Sequence, residues 1–267
     1  MAHQSSPECR PFSALVLAGS RPGGDPLAHR VGATSKASIR IAGEPMLARV
    51  LDALAASPSV GSIIVVGLAS EALDDPILAA RIGESGAEVV EGKDSAAASA
   101  LAALEAIGPD GPFLLTTSDH PLLRPEIVED FLEEAIGAGA DAVVGLVPFE
   151  RVLRVSPDSR RTVTRLRDGE FCGSNLFALL TPTGRRAVAF WKNIEQHRKH
   201  PIRIARMLGP GTLLRFLLGR LTLDRAMRQL SARSGAKVRA VLLSHGQAAI
   251  DVDKPEDLTL AEKLLAD

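Results

Sequence analysis

Residues 13–54 read SALVLAGSRPGGDPLAHRVGATSKASIRIAGEPMLARVLDAL, and this stretch decides the fold. It opens on an apolar run, Ala14 to Ala18, with the composition of a buried strand. A loop rich in Gly, Pro and polar residues follows at once, and Lys36 stands near its end. A second short apolar stretch, Ser38 to Ala42, precedes the turn Gly43-Glu44-Pro45. From Met46 to Leu54 the apolar residues Met46, Leu47, Val50, Leu51 and Leu54 recur at helical spacing. A strand that runs into a glycine loop offers bare backbone N–H groups, and glycine lets the chain come close to an anion. A lysine beside such a loop is a compact point charge suited to phosphate. The unit therefore points to handling of a nucleoside triphosphate. Two common phosphate loops are excluded, because the sequence contains no G-x-x-x-x-G-K-[ST] and no G-x-G-x-x-G after the first strand.

Outward from this stretch, apolar strands alternate with amphipathic helices. Ser62 to Gly67, Ala87 to Val90, Pro112 to Thr117 and Asp141 to Leu146 read as strands. Helices are predicted over Ile77 to Ser85, Asp94 to Ile107 and Pro125 to Gly137. Asp94 or Ser95 can cap the second of these, and Pro125 suits the first turn of the third. The alternation is the pattern of a doubly wound, mostly parallel α/β sheet. Past Pro148 the rhythm changes. Arg151 to Arg167 is charged and β-leaning, and Phe171 to Leu180 reads as a strand. Pro182 to Leu230 is helical in pattern and rich in Arg and Leu, strand-like residues return at Val238 to Leu243 and Ala248 to Val252, and Pro255 to Leu265 closes with a helix. The expected organisation is a flexible tail over residues 1–11 and one domain over 12–267, with a helical insertion at about 182–232.

With 267 residues and 46% hydrophobic content, the chain can bury a sizeable core. A net charge of −1 gives no global pull toward nucleic acid, and with 3% aromatics and no Tyr a base-stacking platform is not expected. Cys9 and Cys172 are too few and too far apart for a disulfide scaffold or a zinc site, which fits a reducing, cytoplasmic setting. The opening MAHQSSPECRPF lacks the apolar core of a signal peptide. No run approaches the roughly 18 apolar residues of a membrane span, so integral membrane contact is not expected.

Leu17, Ala18, Gly19, Arg21, Lys36, Gly43 and Pro45 match a signature of the form L-A-G-G-x-G-x-R-x-G, then Lys, then G-x-P and a helix. This resembles the MobA-like NTP transferases, among them the molybdenum-cofactor guanylyl- and cytidylyltransferases, and the CDP-methylerythritol synthases. The likeness runs from about Ser13 to Asp130 and returns at the C-terminus. It departs from the pattern at Ser20, which stands for the second glycine, in a longer loop from Pro22 to Ser35, and at Ala96, which fills an arginine slot. The resemblance implies a glycosyltransferase-A-like nucleotide-diphospho-sugar transferase fold. It also implies a Mg²⁺-dependent nucleotidyltransferase, moving a nucleoside monophosphate from GTP or CTP to a phosphorylated small-molecule acceptor and releasing pyrophosphate.

Under that resemblance each candidate residue has a role, and most also have a plainer explanation. Asp119, in SDHPLL after a strand, matches the family's D-x-P-L aspartate and would hold the metal; otherwise it starts an Asx turn. The segment from Asp251 to Leu258, DVDKPEDL, resembles D-h-[DN]-x-P-E-D-L. Asp251 and Asp253 alternate around Val252, so both face one side of a strand end. Asp253 is the preferred second metal ligand, Asp251 the alternative, and a cap on the last helix the plainer role for Asp253. Leu17, Ala18, Gly19, Ser20, Arg21 and Lys36 would cradle the phosphates, with Lys36, Arg21 and Asp119 catalytic. Gly92 and Ser99 match the region that meets base and ribose in the relatives, although a helical serine needs no ligand. Gly173 and Asn175 resemble the turn facing the acceptor, which a strand bulge explains equally well.

Arg203 and Arg206, in the insertion, are assigned to an anionic acceptor, against the simpler reading of arginines on a wet helix face. The leucines of LLRFLLGRL must bury against the parent domain, a second copy or a membrane surface, and the parent domain is expected. A homodimer and peripheral membrane contact are thus the other arrangements open to it. Two further readings of function remain: a glycosyltransferase using a nucleotide sugar, and a catalytically silent nucleotide-binding regulator.

Overall fold

The computed structural model describes residues 11–19, 23–109, 111–196, 207 and 209–266. One large sheet organises them. Its strands are β1 (Phe12–Leu17), β4 (Val60–Val66), β5 (Glu88–Val90), β6 (Phe113–Thr117), β7 (Ala142–Pro148), β9 (Gly169–Leu179) and β10 (Val238–Leu242), in the order β10-β7-β9-β6-β1-β4-β5. β8 (Thr164–Leu166) adds to β9, while β2 (Arg40–Ile41) and β3 (Glu44–Pro45) form a separate hairpin. β1, β4, β5 and β6 pair in parallel, as do β7 and β10. β9 alone runs antiparallel between β6 and β7. The sheet is therefore mixed and mostly parallel, as the alternation predicts.

Side-chain alternation along each strand fills two layers, because successive residues point to opposite faces. Ala14, Val16 and Leu114 pack under α2 (Met46–Ala55) and α5 (Pro125–Gly137). Leu15, Leu17, Phe113 and Leu115 pack with α4 (Ala96–Ile107) and α7 (Arg185–Gln196). α5 buries Ile127, Val128, Phe131 and Leu132 on one stripe, worth about 1.5–3 kcal/mol for each large side chain taken from water. The Ser95 hydroxyl caps α4 by accepting from Ala98 N–H.

Two predicted elements differ. Phe149–Val155, which overlaps the start of the segment read as β-leaning (Arg151 to Arg167), is helix α6. It starts directly after Pro148, and its Phe149, Val152 and Val155 recur every third residue, a helical period that β-branched composition disguises. Ala248 to Val252 is no strand. Gly246–Ala249 is a 3₁₀ turn, packed so tightly on α6 that a Cβ at Gly246 would sit 2.2 Å from the Arg151 carbonyl oxygen. Ala248, Ala249, Ile250 and Val252 are apolar because they are buried, not because they pair in a ladder.

The helical pattern of the insertion holds for the described residues in α7, α8 (Pro210–Leu217) and α9 (Leu223–Ser234). Its expected burial does not hold throughout. α8 buries none of its residues, and Leu214, Phe216, Leu217 and Leu218 all stand exposed, Leu217 at 71%. Only Leu221, just beyond, is buried. A helix with four apolar residues in a row of five presents them on more than one face, and the parent domain covers only part of that circumference. No described helix is long and apolar enough to cross a membrane.

Candidate active site

The parallel strands end at one edge of the sheet, where open α/β sheets bind ligands. Three glycines meet there. Gly19 follows β1, Gly67 follows β4, and Gly92 lies just past β5. A Cβ added at Gly67 would lie 3.2 Å from both the Gly19 and Gly92 Cα atoms, and one at Gly92 would lie 2.8 Å from the Gly67 Cα. Gly67 also has φ 80°, a left-handed conformation that side chains resist. Backbones thus form the floor of this corner, where a flat ligand can approach peptide groups directly. Ser99 supports the floor. Its buried hydroxyl accepts from Lys93 N–H at 2.7 Å and donates to the Lys93 carbonyl at 3.3 Å, so it is committed to the loop beside Gly92.

Lys36 begins a short 3₁₀ turn, Lys36–Ser38, and is anchored by its buried neighbours Ser35, Ala37 and Ile39. Its ammonium reaches two carboxylates. It donates to Asp119 Oδ2 at 2.6 Å and to Asp253 Oδ1. Burial works against the ammonium, but the charges and hydrogen bonds of Asp119 and Asp253 outweigh it, and the Lys36 pKa is raised. Asp119 follows β6, and Thr117 steadies it by donating to Oδ1 at 2.5 Å. Asp253 is brought in because Val252 N–H donates to the Asp119 carbonyl at 2.9 Å. Residues from positions 36, 119 and 253 so share one cluster.

Asp257, in the first turn of the last helix, α10 (Pro255–Ala266), accepts from the N–H groups of Asp253 and Lys254 at 3.1 and 2.9 Å and so fixes the entry to that helix. Arg161 holds Asp251 through its carboxylate and its carbonyl, reaches Asp257 at 3.3 Å, and leaves Asp251 a further contact from Asn175 Nδ2 at 3.3 Å. Asn175 adopts φ 55° in β9, and Gly173 is exposed on the same strand. Asn175 thus lies with Asp251, and Gly173 pairs with Leu146 of β7. His120, next to Asp119, is fully buried, and neither ring nitrogen completes a hydrogen bond among the described residues. Burial pushes its pKa down to about 4, so the ring is neutral at pH 7.

Leu17 and Ala18 are buried at the end of β1 and lead the chain to Gly19. Ser20, Arg21, Arg203 and Arg206 lie outside the described residues. Sequence reasoning missed Gly67, Thr117, Arg161 and Asp257. A Thr two residues before the motif aspartate and a Gly directly after a β-branched run were the available signals.

The family model described as the MobA-like NTP transferase domain matches residues 14–238. The chain belongs to that family. Membership places it among the nucleotidyltransferases, enzymes that use an NTP. A structure titled as a hypothetical transferase from Thermus thermophilus is 32% identical and covers 93% of this chain and 99% of its own, with a TM-score of 0.77. The 4-diphosphocytidyl-2C-methyl-D-erythritol synthase of Anaerococcus prevotii is 16% identical, covers 97% of each chain and has a TM-score of 0.59. A CMP:2-keto-3-deoxy-manno-octonic acid synthetase solved with CTP is 12% identical, covers 96% of this chain and 98% of its own, at a TM-score of 0.57. The last two show the shared nucleotide-diphospho-sugar transferase fold. None of the curated proteins matches the sequence significantly. The family match spans the glycine corner, Lys36, Asp119 and β9, and stops before Asp253.

Proposed function

We propose that this nucleotidyltransferase moves a nucleoside monophosphate from CTP or GTP to a phosphorylated small-molecule acceptor, in a Mg²⁺-dependent reaction. The observation that carries the reading is the Lys36 ammonium seated between Asp119 and Asp253 at the sheet edge beside the glycine corner. Two carboxylates close enough to share one cation are an oxygen donor set suited to a hard divalent ion. Mg²⁺ is commonly held by one or two carboxylates together with substrate phosphates, so a pair suffices. When bound there, it neutralises phosphate charge and polarises the reacting phosphoryl group.

The chain's own residues do the rest. The glycine corner takes the nucleotide against bare backbone, and the Gly19 loop with Arg21 holds the outer phosphates. Lys36 supplies fixed positive charge for the triphosphate, where charge builds up in transfer. Gly173 and Asn175 flank the acceptor, and Arg203 and Arg206 are the cations assigned to its anionic group. An acceptor phosphate oxygen attacks the α-phosphorus. The bond from the α-phosphorus to the bridging oxygen breaks, and pyrophosphate leaves with the electron pair. No covalent enzyme intermediate is required, because the two reactants are held in line.

The test is pyrophosphate release from each of the four NTPs with phosphorylated metabolites from a cell extract, with and without Mg²⁺. CTP or GTP is expected to react, and Asp119→Asn to abolish the reaction with the fold intact. Two outcomes reject the reading: transfer of sugar from a nucleotide sugar, or NTP binding without pyrophosphate release for every acceptor fraction.

A further inference from the structure

Opposite the α2 and α5 layer, the sheet and the helices of the insertion border a half-open apolar cavity of about 440 Å³. Its floor is formed by β7 and β9 residues such as Val144 and Phe177, and its roof by Trp191 of α7, Phe216 of α8 and Met227 of α9. Among the described residues, no charged side chain lines it. An engineered apolar cavity of about 150 Å³ holds benzene, so this volume suits an apolar molecule roughly three times as large. The mechanism uses none of it.

Phe216 links the cavity to the outside. It lines the cavity and is itself 43% exposed, on the helix that carries the exposed Leu214, Leu217 and Leu218. The surrounding sequence is strongly basic. From Arg198 to Arg239 there are eleven Lys and Arg and one acidic residue, Asp224, in a chain whose net charge is −1. Among the described residues, Arg220, Arg225, Arg233 and Lys237 are exposed. An apolar helix face ringed by cations fits a surface that is apolar inside and anionic outside. A second copy of the chain fits poorly, since a two-fold contact would set this basic segment against itself.

We propose that α8 docks the protein on anionic phospholipid bilayers and that a hydrocarbon chain of the bound lipid enters the cavity beneath it. The leucines of α8 reach the acyl region and the flanking arginines meet the headgroups. The rest of the chain is net acidic, so only this face approaches an anionic bilayer. The docking depends on no assignment at the Lys36 site.

The test uses the full chain with vesicles of phosphatidylcholine, alone or mixed with phosphatidylglycerol. Co-sedimentation is expected only with the anionic vesicles and is expected to fall as salt rises. Leu217→Glu, at an exposed position, is expected to lower partitioning by at least about tenfold while leaving the folded spectrum unchanged. Trp191 is the chain's one tryptophan, it lines the cavity and stacks on Phe177, and there is no Tyr to obscure it. Phosphatidylglycerol brominated along its acyl chain is therefore expected to quench its fluorescence, and Ala226→Phe, which narrows the cavity, to reduce that quenching while sedimentation persists. Equal binding to both vesicle types, no binding, or a concentration-dependent dimer that Leu217→Glu disrupts without vesicle binding overturns the docking. Sedimentation without quenching of Trp191 overturns entry of the chain.

Discussion

Gly92→Ala tests the glycine corner directly. The new Cβ would stand 2.8 Å from the Gly67 Cα and 3.3 Å from Ser99 Oγ. Carbon atoms prefer about 3.5–4.0 Å, so the contact with Gly67 is short by roughly 0.7–1.2 Å. The obstacle is backbone, which cannot rotate away as a flexible side chain would. Gly92 is not among the residues with positive φ, so the effect is steric and free of conformational strain. Overpacking of this kind costs about 1–3 kcal/mol. For a domain of this size, about 2 kcal/mol lowers Tm by roughly 4–8 °C. Because the displaced loops flank Gly19, NTP affinity should fall in parallel, read by calorimetric titration. Gly83→Ala is the control. It lies in α3 (Pro76–Glu84) with no atom near its added Cβ, and should stabilise by up to about 1 kcal/mol. A Gly92→Ala protein with unchanged Tm and unchanged NTP affinity would refute the close approach and with it the corner as a nucleotide floor.

Lys36→Met should lower kcat by about 100-fold or more, since it removes fixed charge at the reacting phosphates; steady-state kinetics with unaltered kcat/KM would remove Lys36 from the site. Arg161→Met strips the partner from Asp251 and Asp257, both still a fifth or more exposed, so a loss of about 1–3 kcal/mol is expected in urea denaturation. His120 is held neutral by burial, with its pKa down to about 4 from 6.5. The unfolded chain takes up that proton below about pH 6.5 and the folded chain does not, so His120 contributes full stability above pH 6.5. About 3 kcal/mol of it should vanish as pH falls toward 4, and His120→Leu should flatten that part of the stability–pH curve.

Strong periodicity made much of the fold legible. α5 runs from Pro125 to Gly137 as its sequence predicts, because the apolar stripe and the proline at its start agree. The same logic failed where burial and secondary structure part company. Ala248 to Val252 looks like a strand because every apolar residue in it is buried, yet it pairs with no ladder. α6 was hidden because valines favour strands in composition while their spacing favours a helix. In the site, Lys36, Asp119 and Asp253 were readable as separate motifs. What no local pattern shows is which of two neighbouring aspartates meets the lysine. That choice is made by Arg161, some 90 residues from Asp251, which claims Asp251 first. Gly67 escaped notice for a similar reason, since its role exists only where three chain segments meet. The leucines of α8 invited the expectation of burial because sequence gives their number and not the size of the surface available to cover them.

The bond between Lys36 and Asp253 joins residues 217 positions apart. Closing so long a loop costs little more entropy than closing a medium one, because the penalty grows only with the logarithm of length. Its timing is another matter. β1, β4, β5 and β6 can pair as soon as the first 117 residues are available, and the glycine corner comes with them. β9 lies between β6 and β7, and the segment after Ile250 that meets Asp119 comes later still in the chain. Synthesis proceeds from the N-terminus, so early segments can fold before late ones exist. A nascent chain can therefore hold the three glycines of the corner and Asp119 before Asp253 has been made, so the cluster around Lys36 is completed only when synthesis nears its end.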